Sequence, residues 1–364
     1  MQLKLKTATL QAMMARAMKG ASCNKLIPIT GMMCIQAEQG TLTLKTTDGT
    51  NYLYVRQDKL FVDNGGFEVT VWADTFAKLI ARLTCDDVAL ELRGSCLHVT
   101  GNGSYSIELP FDDEGELVKF PDPVVKNNPW GNFDEVGTIN LSTARLILAT
   151  AKASLLVNAN EPDSCYAGYY CGDRIITTNE ERMCSIDITL WDKPALISSE
   201  MMGLLDVFKD EKIKVFRLDN KIMFESSDCT LYGTLMDSID DYPIEVINAL
   251  LDTKYDKCCC VPRSALLELL DRLVLFVVPY DLNVVNLTFT QAGLQVSSKA
   301  STGVEIIPYT ASENFQPFTC SIDVEDLRAQ VKASTADVLE LYYGIDTAIK
   351  FVDGNVTQIV ALTE

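Results

Sequence analysis

The residues able to do covalent or metal chemistry are few. The chain holds 12 cysteines and one histidine, His98, among 364 residues. A thiolate metal site draws ligands from spaced positions, and no Cys-x-x-Cys occurs. Cys258, Cys259 and Cys260 are contiguous. Neighbours on a strand point to opposite faces, so these three cannot close on one ion. His98 supplies no second cluster for zinc, and a Ser-His-Asp or Cys-His site would rest on it alone. It falls in an alternating stretch, Leu97-His-Val99, on the exposed face of an expected strand. Walker A, GxGxxG and HExxH patterns are absent. The cysteines therefore read as reduced, small apolar core residues. A disulfide framework suits a short secreted chain, not this one. No enzyme is expected, and no cofactor or metal.

The composition is globular, with 48% hydrophobic and 22% charged residues. A length of 364 exceeds one core and predicts two or three domains. Fifty acidic against 31 basic residues give a net charge of −19, which argues against nucleic-acid binding by bulk charge. An acidic body can still carry a locally basic surface. The longest apolar runs, such as 273–279, fall well short of the ~20 residues of a membrane span. Residues 1–6 alternate like a strand and lack a signal-peptide core. The expectation is a soluble, cytoplasmic chain with no membrane partner.

The elements that position everything else repeat. Six apolar stripes at helical spacing occur, 57 to 68 residues apart. They are Leu10, Met13, Met14, Ala17; Phe76, Leu79, Ile80, Leu83; Ala144, Ile147, Leu148, Ala151; Met201, Leu204, Leu205, Phe208; Leu266, Leu269, Leu270, Leu273; and, weakest, Val324, Leu327, Val331. Each is one buried face of a helix of three to four turns. Alternating strands with hairpin turn residues follow each helix, as at Gly94-Ser95, Asp219-Asn220 and Asp353-Gly354. One helix plus several antiparallel strands, present six times, predicts three domains of two units each. Proline-rich 110–130 reads as a linker and 251–257 as a second junction. The expected domains are 1–126, 127–253 and 254–364.

Charge is distributed unevenly over these elements. The expected helices at 10–22, 73–83, 142–154, 199–209, 262–276 and 323–333 carry 11 basic and 8 acidic residues. They are net positive while the rest of the chain is strongly negative. Such a helix-lined surface on an anion-repelling body suits weak phosphate contact inside a ring.

In its order of motifs the whole chain resembles the bacterial DNA sliding clamp family, the beta subunit of DNA polymerase III. Lys19-Gly-Ala-Ser22 followed by Ile27-Pro-Ile29, and Leu42-Thr-Leu-Lys-Thr-Thr-Asp48, resemble the family's first helix end and its LxLxxTD turn. Phe120-Pro121 and Tyr242-Pro243 resemble its aromatic-proline pairs, and Thr177 to Met183 stands where it has a Thr-Asp-Gly-His-Arg-Leu turn. The chain looks like a diverged member, of the kind a phage or mobile element carries.

The resemblance implies an α+β clamp fold of three similar domains, each with two helices on antiparallel sheets. It implies a head-to-tail homodimeric ring around double-stranded DNA, held topologically and without sequence preference. The implied function is a processivity factor. Polymerase and clamp loader dock a linear peptide between domains two and three.

Candidate lining residues are Arg16, Lys19, Lys25, Lys78, Arg82, Arg145, Lys152, Arg272, Arg328 and Lys332. Candidate cleft residues are Tyr166, Thr178, Glu180 (glycine in the family), Met183, Pro243, Ile359, Val360, Ala361 and Leu362. Asn24 replaces a DNA-contacting arginine, and Ser164-Cys165 a tyrosine pair. The family's ionic dimer contacts are lost on both sides, at 102–107 and 297–304. An apolar interface is expected instead, from Tyr105 and Ile107 to Leu273 and Phe276. The alternative is a clamp-fold decoy or inhibitor that binds replication factors without encircling DNA.

Overall fold

The computed structural model describes residues 2–22, 24, 26–63, 66–121, 133–157, 161, 164–277, 283–298, 303–309, 315, 317–363. Among them are seven α-helices: α1 (Thr7–Ala17), α2 (Ala73–Ala81), α3 (Leu141–Thr150), α4 (Ser199–Gly203), α5 (Ile244–Leu251), α6 (Arg263–Leu273) and α7 (Val324–Ala333). Six coincide with the expected stripes, and 3-10 turns extend four of these at their C-terminal ends. The first starts three residues earlier than its stripe, at Thr7. The repeat did not foresee α5, whose Val246 and Leu250 are exposed and blur any polar face.

The chain divides into two compact units, Met1–Ala144 with Gly203–Leu235, and Arg145–Met202 with Met236–Glu364. Each unit contains one eight-stranded antiparallel sheet. In the first unit the order is Phe67–Trp72, Met32–Glu38, Thr41–Thr47, Tyr52–Gln57, Cys229–Thr234, Lys221–Glu225, Lys212–Leu218 and Asp134–Asn140. In the second it is Ala195–Ser198, Gly168–Cys171, Ile175–Thr178, Arg182–Ile186, Val356–Ala361, Ala348–Asp353, Val338–Tyr343 and Lys257–Pro262. The two orders are the same plan used twice. Both sheets join four strands from one stretch of chain to four from a later one. In both, each edge strand leads directly into a helix. The sheet of the first unit runs across the expected first domain boundary, between 126 and 127, which itself lies outside the described residues.

A smaller sheet completes each unit. In the first it ends at edge strand Ser104–Glu108, in the second at Val304–Ile307. Helices cover one face of the strands because period-3.6 and period-2 apolar patterns meet there. In the second unit that core gathers Leu266, Leu270, Leu287, Phe289, Leu327 and Phe351, all buried. No described helix is long and apolar enough to cross a membrane.

The cysteine expectation needs one correction. Seven of the 11 described cysteines are buried, and burial pushes the thiols of Cys184, Cys229, Cys259 and Cys320 up to about 12. Cys258 and Cys260, however, are exposed. They lie on an edge strand and alternate around buried Cys259, so only the middle residue joins the core.

Candidate nucleic-acid and partner surfaces

Helices α1 and α2 pack together in the first unit, and α6 and α7 in the second. Their apolar stripes face inward, which leaves the intervening cations on the outer side. Arg16 is the exception and corrects the lining expectation. It is 8% exposed; its Nε donates to the Val207 carbonyl at 2.7 Å. Its two terminal nitrogens grip the Asp228 carboxylate at 2.6 and 3.0 Å. This bidentate pair ties α1 to the turn before strand Cys229–Thr234 and leaves no charge for a ligand.

The other described cations are exposed or half-exposed, and several are already paired. Lys19 reaches Asp206 at 2.9 Å, and Lys78 reaches Asp74 one turn away at 2.6 Å. Arg272 holds Glu305 through two bonds of 2.8 and 2.6 Å. Arg328 bridges Asp271 at 2.5 Å and Glu325 at 3.3 Å. Arg82, Lys152 and Lys332 are exposed and have no ion pair among the described residues. Arg145 is exposed on α3. Lys25 lies outside the described residues. The helix cations are thus half-neutralised by neighbouring carboxylates, which sequence position alone did not reveal.

The candidate cleft residues fall in the second unit, where strand Arg182–Ile186 pairs with Val356–Ala361. Met183 lies opposite Ile359, and Arg182 opposite Val360. The hairpin before Arg182 turns through Thr178 to Glu180. Thr178 Oγ1 donates to the Arg182 carbonyl at 3.0 Å and accepts from the Glu180 N–H at 3.2 Å. Glu180 sits at φ +78°, the left-handed region where glycine is at ease. The turn therefore has a backbone shape suited to glycine while exposing a carboxylate at its rim.

Met183 and Ile359 join an apolar cluster with Tyr170, Ile176, Tyr242 and Ala348. Tyr170 stacks on Tyr242 with centroids 5.2 Å apart, and Tyr166 lies tilted against Tyr242 at 6.5 Å. Burial, and then the Glu180 carboxylate, push the Tyr166 phenol above its ordinary value. Pro243 is half-buried and opens α5, whose Ile244 and Leu251 pack on the cluster. Tyr170 was missed in the sequence because Gly168–Cys171 is buried on both faces and shows no alternation.

The C-terminal strand corrects part of the cleft expectation. Val360 is 0% exposed and belongs to the helix-side core, and Leu362 packs on that same core. Alternation along the strand sends Ile359 to one face and Val360 to the other. Ala361 is half-buried at the strand end, where its N–H donates to the Glu181 carbonyl at 2.7 Å.

The expected dimer residues also separate. Tyr105 is exposed and Ile107 half-buried on edge strand Ser104–Glu108. Phe276 is exposed, but Leu273 is 1% exposed inside the core. The stripe that identified α6 already assigns Leu273 inward. Val304 and Ile306, exposed on edge strand Val304–Ile307, are apolar residues that the sequence reading passed over.

This architecture of paired helices on twin eight-stranded sheets has known counterparts. Solved bacterial sliding clamps match the chain over its full length. The beta subunit of DNA polymerase from Streptococcus pyogenes matches at a TM-score of 0.84 and 16% identity, covering 100% of both chains. A sliding clamp from Bartonella birtlesii, solved with griselimycin bound, matches at 0.85 and 14%, again over 100% of both. The clamp from Bacillus subtilis matches at 0.83 and 14%, over 100% of this chain and 99% of its own. The chain therefore has the fold of the bacterial DNA polymerase III beta clamps. No protein-family profile matches it, and no curated protein matches it by sequence.

Proposed function

We propose that two copies of this chain close head to tail into a ring around duplex DNA and tether a replicative DNA polymerase. In this reading the chain is a cytoplasmic processivity factor with no chemistry of its own, opened by a clamp loader. Its three parts are 1–126, 127–253 and 254–364. The observation that carries the reading is the full-length likeness to sliding clamps at TM-scores near 0.84, with one sheet plan used twice. Two edge strands with no further partner strand among the described residues support ring closure: Ser104–Glu108 with exposed Tyr105, and Val304–Ile307 with exposed Val304 and Ile306. Joined between copies, they would cover each other's backbone groups. The cluster of Met183, Ile359, Tyr166, Tyr242 and Pro243, with Glu180 at its rim, is the docking place for a partner's linear peptide. Arg82, Arg145, Lys152 and Lys332 supply weak, exchangeable phosphate contacts.

A second reading, a clamp-fold decoy that binds replication factors without DNA, draws on the carboxylate partners of Lys19, Lys78, Arg272 and Arg328. One experiment separates the two. After loading, protein retained in high salt is compared on nicked circular and linearised DNA. Topological retention gives survival on circles and rapid loss from ends. Equal, salt-labile loss from both sends the reading to the decoy.

A further inference from the structure

The two eight-stranded sheets differ where a chain segment crosses the edge strand that precedes α2 or α4. In the second unit, Met236 donates its N–H to the Leu196 carbonyl at 2.9 Å, and both side chains fill the space beside Tyr242. Leu196 lies three residues before α4, as Thr70 lies three before α2. Met236 is the second residue after its strand, as Pro110 is after Ser104–Glu108. The first unit thus has threonine for leucine, and a proline with no N–H to give for methionine. At the corresponding place a cavity of about 300 Å³ lies between edge strand Phe67–Trp72 and Phe120, with Thr70 in its lining.

Val69, Thr70, Leu109, Leu117, Lys119 and Phe120 line it. Its outer wall is a short turn absent from the second unit, closed by a Phe111–Leu117 bridge. The Asp112 carboxylate holds this turn by accepting from the Glu114 and Glu116 N–H groups at 3.0 and 2.8 Å. The wall is thus built by local bonds, and the volume lies at the lower end of ligand sites. Glu68 at the mouth is engaged by Lys45 at 3.9 Å and the Cys34 thiol at 3.6 Å. Lys119 is exposed. Of the two charged residues in the lining, Lys119 is the one without an ion pair among the described residues. The strand beside the cavity is a sheet edge, with no strand paired to its other side among the described residues.

We infer that this cavity is a second docking site, taking an extended peptide segment of a partner protein. The segment adds along Phe67–Trp72, places one apolar side chain against Phe120, and sets a carboxylate at Lys119. An unpaired edge beside an apolar hole is the arrangement used in strand addition, where backbone bonds give affinity and pockets give specificity. The carboxylate follows from charge complementarity with Lys119. The inference stands whether or not the chain forms a ring.

The test is an array of hexapeptides with Phe, Leu or Ala at one central position and Asp, Asn or Lys beside it, probed with the full chain. Binding of the Phe–Asp and Leu–Asp members is expected. Thr70→Leu with Pro110→Met should fill the cavity as the second unit does, and weaken those members about tenfold or more without lowering the melting temperature. Lys119→Glu, an exposed change that spares the core, should shift preference from Asp to Lys members. Met183→Ala should leave these members unchanged. The inference is overturned if no member binds, if binding ignores both cavity filling and charge reversal, or if it responds to Met183→Ala instead.

Discussion

Two residues show how burial sets the role of a charge. Arg16 reads as a ligand contact by type and helix position, yet its Asp228 and Val207 bonds make it a structural clasp. Removing one member of such a pair strands the other in a poorly solvated place. Arg16→Ala should cost about 3 kcal/mol in urea unfolding, at the low end for buried pairs because Asp228 is partly exposed. A loss within a few tenths would contradict the assignment. Asp326, near the start of α7, is paired with Arg182 and 9% exposed. Burial nonetheless raises its carboxyl above the ordinary value, with Arg182 opposing the shift. A raised carboxyl holds its proton more tightly folded than unfolded. Its contribution to stability is therefore fully present below the unfolded pKa and lost as pH rises through the folded one. Asp326→Asn should gain stability relative to the parent chain as pH rises from about 4, the ordinary aspartate value, until the folded-state carboxyl has ionised. Urea melts across that range check the slope, and a flat difference would remove Asp326 as its source.

A strand assigns its side chains in alternation, and the last strand divides the expected cleft accordingly. Ile359 and its partner Met183 face the Tyr242 cluster, while Val360 and Leu362 face the helices. If a partner peptide uses the cluster, Met183→Ala and Ile359→Ala should each weaken it by about 1–3 kcal/mol, the usual size for anchor contacts. Leu362→Ala should instead lower folding stability by about 2 kcal/mol, less than a full core deletion because Leu362 is half-buried, and leave peptide affinity alone. Calorimetric titration beside denaturant melts reads both quantities. The opposite pattern, affinity following Leu362, would reverse the facing.

At the scale of the whole molecule, charge and apolar surface take separate tasks. Arg82, Lys152 and Lys332 are exposed cations without ion pairs among the described residues, and a dimer would present each twice. Replacing all three with alanine should reduce the salt dependence of DNA association, since each lost phosphate contact releases fewer counterions. An unchanged slope of log affinity against log salt would place the contacts elsewhere. The proposed closure through Tyr105, Val304, Ile306 and Phe276 is mainly apolar, and screening acts on charges over ~8–10 Å. The dimer's dissociation constant should therefore barely move between low salt and about 0.5 M in sedimentation equilibrium. Monomers appearing with salt would point to an ionic interface.

Six helices were legible in the sequence because an apolar stripe at period 3.6 is local: Leu266, Leu269, Leu270 and Leu273 declare α6 without reference to any other part of the chain. Alternation declared the strands in the same way, and the recurrence of both gave the repeat. The turn at Glu180 was locatable by its neighbours, but its left-handed backbone was not, since glutamate does not announce that conformation. What only the tertiary structure decided depends on distant pairs. Arg16 meets Asp228 across 212 positions, and Arg182 meets Asp326 across 144. Which cations are neutralised follows from such pairings, and which core receives Val360 follows from the strand order that packs its sheet. Residue type states what a side chain can do, and the partner that folding brings to it selects which of those things it does.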